Sequence, residues 1–160
     1  NHNKETQLDL ILWRHAEAQE PEGAMTDLDR PLTRRGEKQA ARMAAWLDRQ
    51  LPDGTRVLSS SARRTEETAR ALGRRFKSMD GLRPGASAEQ LLQVAGWPLA
   101  KTPVLVVGHQ PTLGQTAAHL LGLPGGECAI KKGAILWLRS RERDGEDQTV
   151  LIAVLTAELV

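Results

Sequence analysis

The run Thr-Pro-Val-Leu-Val-Val-Gly-His, residues 102–109, limits the fold more than any other stretch. Its four central residues are all apolar, so neither face of a strand formed there would be polar. A strand facing water on one side alternates apolar and polar residues. This one does not, and it belongs to a sheet covered on both faces. Two covered faces require helices on both sides of a mostly parallel sheet.

The rest of the chain supplies the matching pieces. Leu8–Trp13 reads as a first strand, and residues 32–51 as a helix with Thr33 as N-cap. On that helix Ala40, Met43, Ala44, Leu47 and Leu51 recur at helical spacing. Residues 55–60 read as a second strand and 62–76 as a second helix, with Ala62, Thr65, Ala69, Leu72 and Phe76 on one face. Residues 81–86 break the pattern with room for a brief strand, and Ser87 caps a short helix to Trp97. A helix over 111–122 stops at Gly122, and runs at 133–140 and 149–156 read as a hairpin at a sheet edge. The expected architecture is α/β: one domain over 1–160, a three-layer sandwich, its sheet mostly parallel with an antiparallel edge hairpin. Residues 1–7 are polar and are expected to form a disordered tail.

In such folds ligands bind beyond the carboxyl ends of the strands. Three junctions of this sequence deliver chemistry there. Arg14-His15 follows the first strand, Ser59–Arg64 follows the second, and Gly108-His109 follows the central run. Neighbours such as Arg14 and His15 can line one site only where the strand ends and the backbone turns. Arg64 falls in the first turn of a helix, where free N–H groups and the helix dipole favour an anion. A guanidinium adds a planar fork matched to phosphate oxygens. A neutral histidine among such groups can attack phosphorus, and neighbouring arginines lower its pKa and keep a lone pair free.

Composition narrows the partners. Lys+Arg is 22 and Asp+Glu 20, a net charge of +2, and aromatics make up 3%, which argues against nucleic acid. No stretch approaches the apolar length of a membrane span. Cys128 is the single cysteine, which excludes an internal disulfide and fits a cytoplasmic setting. Arg34-Arg35 and Arg74-Arg75 read as solvated helix faces, and the four tryptophans as packing residues.

Taken together, these stretches resemble the histidine phosphatase superfamily, the phosphoglycerate mutase-like fold. Arg14-His15-Ala16 matches its first motif with Ala in place of Gly. Residues 60–69, SSARRTEETA, match the second, with Ser61 for Pro and Glu67 for Gln, so that Arg64 is the matching phosphate arginine. RPLTRRGEKQA, residues 30–40, is similar to the helix start that carries Leu-Thr and Gly, and His109 matches the second histidine. The resemblance makes His15 the nucleophile, with Arg14, Arg64 and His109 around the transferred phosphoryl group. Glu17 joins them as a substrate-binding candidate, and Glu17 or Glu89 as a candidate acid.

About 25 residues separate Phe76 from Pro103, too few for a large cap. The small size and the RPLT pattern resemble SixA-type phosphohistidine phosphatases. The function expected is therefore a metal-independent phosphatase with no cofactor, acting on a phosphorylated protein domain. A small phosphorylated substrate is the alternative, and phosphate or sulfate would suit the same site. A non-catalytic phosphate-binding module and a metal hydrolase using His15, Glu17 and His109 are the competing classes.

Overall fold

The computed structural model describes residues 7–160, and six strands among them form one sheet in the order β3-β2-β4-β1-β5-β6. The strands are β1 Leu8–Arg14, β2 Arg56–Ser60, β3 Lys77–Met79, β4 Val104–Gly108, β5 Ile135–Arg143 and β6 Glu146–Leu155. The first four are parallel, whereas β5 joins β1 and β6 joins β5 antiparallel. The helices are α1 Arg34–Gln50, α2 Arg63–Arg70, α3 Ala88–Ala95 and α4 Thr112–Leu121. The tail expected over 1–7 lies, except for Gln7, outside the described residues.

The central run behaves as its composition demands. All five residues of β4 are buried. Val104 and Val106 pack with Leu10, Leu12, Leu91 and Leu113 under α3 and α4. Leu105 and Val107 pack with Ile11, Trp13, Met43 and Leu47 under α1 and α2. Strand alternation thus divides one apolar run between two cores, the origin of the three layers.

Two expected boundaries move. The second helix ends at Arg70, not Phe76, because the chain turns through Gly73 at φ +70°. Leu72 is nevertheless buried and Phe76 packs beside it, so apolar spacing outlasts the helix. The brief strand falls at Lys77–Met79, before residues 81–86. The hairpin is also longer than expected. Asp144 and Gly145 have φ of 53° and 79°, the mirror-image turn that matches strand twist, so pairing continues to Arg143 and Glu146.

Candidate active site

β1, β2 and β4 end side by side, and their carboxyl ends place the sequence-predicted residues on one rim. β1 stops at Arg14, where the backbone groups that follow are taken by the end of β4 and the loop before β5. Arg14 N–H donates to Ala134 O at 3.0 Å, His15 N–H to Gly108 O at 3.1 Å, and Gly133 N–H to His15 O at 2.9 Å. Ala16 N–H donates to Thr68 Oγ1 of α2 at 3.1 Å. Ala16 itself is fully buried and has no positive φ, so the missing family glycine costs nothing here.

His15 and His109 face each other, ring centroids 5.4 Å apart, at 6% and 3% exposure. Arg64, 4% exposed, and the half-buried Arg14 are close enough for their charges to act on both rings.

Each of the four side chains is tethered through some of its nitrogens and leaves another free. His15 Nδ1 lies 2.7 Å from Ala16 O. A carbonyl only accepts, so Nδ1 carries the proton and Nε2 the lone pair. Arg14 Nη1 donates to Ile130 O at 2.7 Å. Arg64 Nη1 donates to Asp27 O at 2.7 Å and Nη2 to Asp27 Oδ2 at 3.1 Å. His109 Nε2 lies 2.8 Å from Ser60 Oγ, which accepts from Ala62 N–H. Four buried side-chain polar atoms among the described residues lack a partner; three are Arg14 Nε, Arg64 Nε and His109 Nδ1. Unpaired buried polar atoms are rare, so their concentration here is a property of the site.

The electrostatics follow from the crowding of cations. Burial holds the His15 pKa down to about 4; the Ala16 carbonyl works against this, and the charges of Arg64, Arg14 and Lys132 add to it. His109 is held near 3, chiefly by burial and then by Arg64. Burial, then the Arg64 charge, also lowers Arg14. Both imidazoles are neutral at pH 7, and an incoming anion would relieve the repulsion between the guanidiniums.

Glu17 lies beside the site, and its backbone and one carboxylate oxygen hold the start of α1. Its carboxylate accepts from Thr33 Oγ1 at 2.7 Å, and its carbonyl from Thr33 N–H at 3.0 Å, which locks the start of α1. A Cβ on Gly36 would stand 2.0 Å from Glu17 O, so the glycine of the Leu-Thr pattern is required by close approach. Glu89 is elsewhere: with His119 it lines a cavity between α3 and α4 that contains none of the four site residues. Among the described residues no three His, Cys, Asp or Glu side chains gather as a metal-ligating cluster.

Sequence reasoning missed Asp27. It sits on a 3₁₀ turn, Asp27–Asp29, that lies over Arg64, and its carboxylate also accepts from Arg30 Nη1 at 3.1 Å. Burial favours its protonated form, but Arg30 and Arg64 outweigh this and hold the carboxyl below its usual range. The sole cue was its place three residues ahead of Arg30 in the loop that leads to Leu32-Thr33. Glu67, which stands for the family's Gln, accepts from Leu32 N–H at 3.0 Å and ties the same loop to α2.

A sequence model of the histidine phosphatase superfamily, branch 1, matches residues 10–85. The chain belongs to the histidine phosphatase superfamily. The protein Rv1276c of Mycobacterium tuberculosis is 34% identical over 122 residues, which cover 73% of this chain and 75% of the relative. Among solved structures, the proposed phosphohistidine phosphatase SixA from Nakamurella multipartitia superposes with a TM-score of 0.76 at 28% identity, over 94% of this chain and 96% of that one. The proposed phosphohistidine phosphatase SixA from Agrobacterium tumefaciens gives 0.75 at 25% identity, over 93% and 97%. The superfamily and these likenesses mark this member as a phosphatase with the phosphoglycerate mutase-like fold.

Proposed function

We propose that this phosphatase removes the phosphoryl group from phosphohistidine carried on a protein, through a covalent phosphohistidine at His15 Nε2. The tethering pattern carries the reading: four side chains are fixed by one set of atoms while Nε2 of His15, Nε of both arginines and Nδ1 of His109 stay unengaged. Those atoms are a nucleophile and three donors, the set that phosphoryl transfer needs.

In the first step the Nε2 lone pair forms an N–P bond as the bond from phosphorus to the leaving nitrogen breaks. Arg14, Arg64 and His109 donate to the equatorial oxygens and offset their charge, and no metal or cofactor takes part. The departing imidazole leaves with the bonding pair and is protonated from solvent. Its ring nitrogen is basic enough to take that proton before departure, so a carboxylic acid at the site is dispensable. Water then cleaves the N–P bond, releasing phosphate and restoring neutral His15.

Two further observations support a protein substrate. The segment between β3 and β4 holds only a 3₁₀ turn and the eight-residue α3, so that segment supplies no large roof over the rim. The SixA-like structures cover this chain almost end to end. For the enzyme itself, a single cysteine suits the proposed cytoplasmic setting. The test compares hydrolysis of a phosphohistidine protein domain with that of small phosphomonoesters. Faster turnover of the phosphoprotein is expected; faster turnover of a small ester would refute the substrate assignment.

A further inference from the structure

A second charged feature adjoins the site. A groove of 580 Å³ runs from Arg14 along α1 and is lined by Arg35, Lys38, Arg42, Lys131 and Lys132, with Glu17 and Glu158 the two carboxylates. Six cations against two anions leave an excess of four positive charges in a chain whose net charge is +2. The concentration is built by the fold. Residues 35, 38 and 42 share one helix face, and the loop before β5 brings Lys131 and Lys132 against it. Arg35, expected from the sequence to be a merely solvated residue, is therefore part of a concave surface.

Three of these cations stand outside the ion pairs, although the charge of Arg35 also helps hold the Glu158 carboxyl below its usual range. Among the described residues Arg35, Lys38 and Lys132 form no ion pair, whereas Lys131 pairs with Glu158 and Arg42 Nη1 donates to Ala157 O at 3.1 Å. The groove is continuous with the catalytic rim because Arg14 belongs to both. Lys132 acts on His15 itself, helping to lower its pKa.

We propose that this groove is the docking site for an acidic polypeptide segment flanking the phosphohistidine of the substrate protein, a proposal that rests on the protein-phosphatase reading above. From Arg35 to Arg42 the helix rises about 10 Å, longer than one phosphate and suited to several carboxylates along a chain. Among the described residues no aromatic side chain lines the groove, so they offer no stacking face for a nucleotide base. Glu17 and Glu158 stand among the cations and would repel a bare polyphosphate. A peptide meets them with its own N–H and hydroxyl donors.

The test measures binding by fluorescence anisotropy of two labelled peptides that carry a hydrolysis-resistant phosphohistidine analogue. One is flanked by glutamates, the other by glutamines. The wild type is expected to bind the glutamate peptide about tenfold more tightly at low salt, a preference that fades above the physiological range. In the double variant Arg35→Gln/Lys38→Gln the preference should shrink about fivefold, at up to about a factor of two to five for each exposed ion pair lost, while p-nitrophenyl phosphate hydrolysis is unchanged. Equal affinity of the two peptides, or a preference that survives the double substitution, overturns the proposal. So does a result in which inorganic tripolyphosphate needs Arg35 and Lys38 but the glutamate peptide shows no advantage, since the groove would then serve a small polyanion. Turnover of authentic phosphohistidine peptides is read separately. Selective binding without phosphate release would leave the groove standing and refute the hydrolytic reading alone.

Discussion

Acidification should destabilise this protein through two buried rings, and the share of His15 can be isolated. His15 has a folded pKa of about 4 against 6.5 for the free side chain. Between those values the unfolded chain takes up a proton that the folded site refuses, so stability falls as pH falls through that window. The full shift corresponds to about 3 kcal/mol at about 1.36 kcal/mol per unit. Nearly all of this lies below pH 7, and about 2 kcal/mol is lost by pH 5. That is a sizeable part of the roughly 5–15 kcal/mol that holds a domain of this size together. Urea denaturation of wild type and His15→Asn at pH 7 and pH 5 isolates the contribution, because His109, held near 3, stays neutral in both folded proteins over that interval and its term cancels in the double difference with those of the distant groups. The wild type should lose about 2 kcal/mol more than the variant over that interval. Equal losses would show that His15 titrates normally and would refute the buried, cation-flanked imidazole on which the nucleophile depends.

Other substitutions probe the parts that hold the site. Arg64→Lys keeps the charge but loses the planar fork that holds Asp27, so kcat/KM should fall about 10²–10³-fold with an unchanged circular dichroism spectrum. Asp27→Ala removes one of the two Arg64 anchors on the 3₁₀ turn; steady-state kinetics should show KM raised about fivefold with kcat nearly constant. Gly36→Ala drives a methyl group onto Glu17 O, and thermal melts should show a loss of about 1–3 kcal/mol as α1 shifts away from the rim.

Much of this was legible because burial and periodicity speak the same language. The unbroken apolar run of β4 announces a two-faced sheet, and alternation along β1 divides Leu10 and Leu12 from Ile11 and Trp13. The junction residues His15, Arg64 and His109 could be placed on one rim because parallel strands deliver their carboxyl ends together. What escaped depends on loops. Asp27 meets Arg64 across 37 positions through a turn with no periodicity to read. Glu17 stands beside His15 in sequence, but the structural tie of one carboxylate oxygen to Thr33 is visible only once α1 is docked. Arg35 looked like an ordinary exposed helix residue; its neighbours Lys131 and Lys132 come from nearly a hundred residues away. The overlong second helix has a different cause, since Leu72 and Phe76 keep helical spacing while packing from a turn.

The central claim is that phosphorus becomes bonded to His15. Rapid-quench labelling with a ³²P phosphodonor at neutral pH tests it directly, followed by peptide mapping under alkaline conditions that preserve an N–P bond. Wild type should carry acid-labile, alkali-stable label on the peptide containing His15, formed and discharged within the turnover time, and His15→Ala should carry none. Label on another residue, or turnover of the variant at the wild-type rate, would contradict the account.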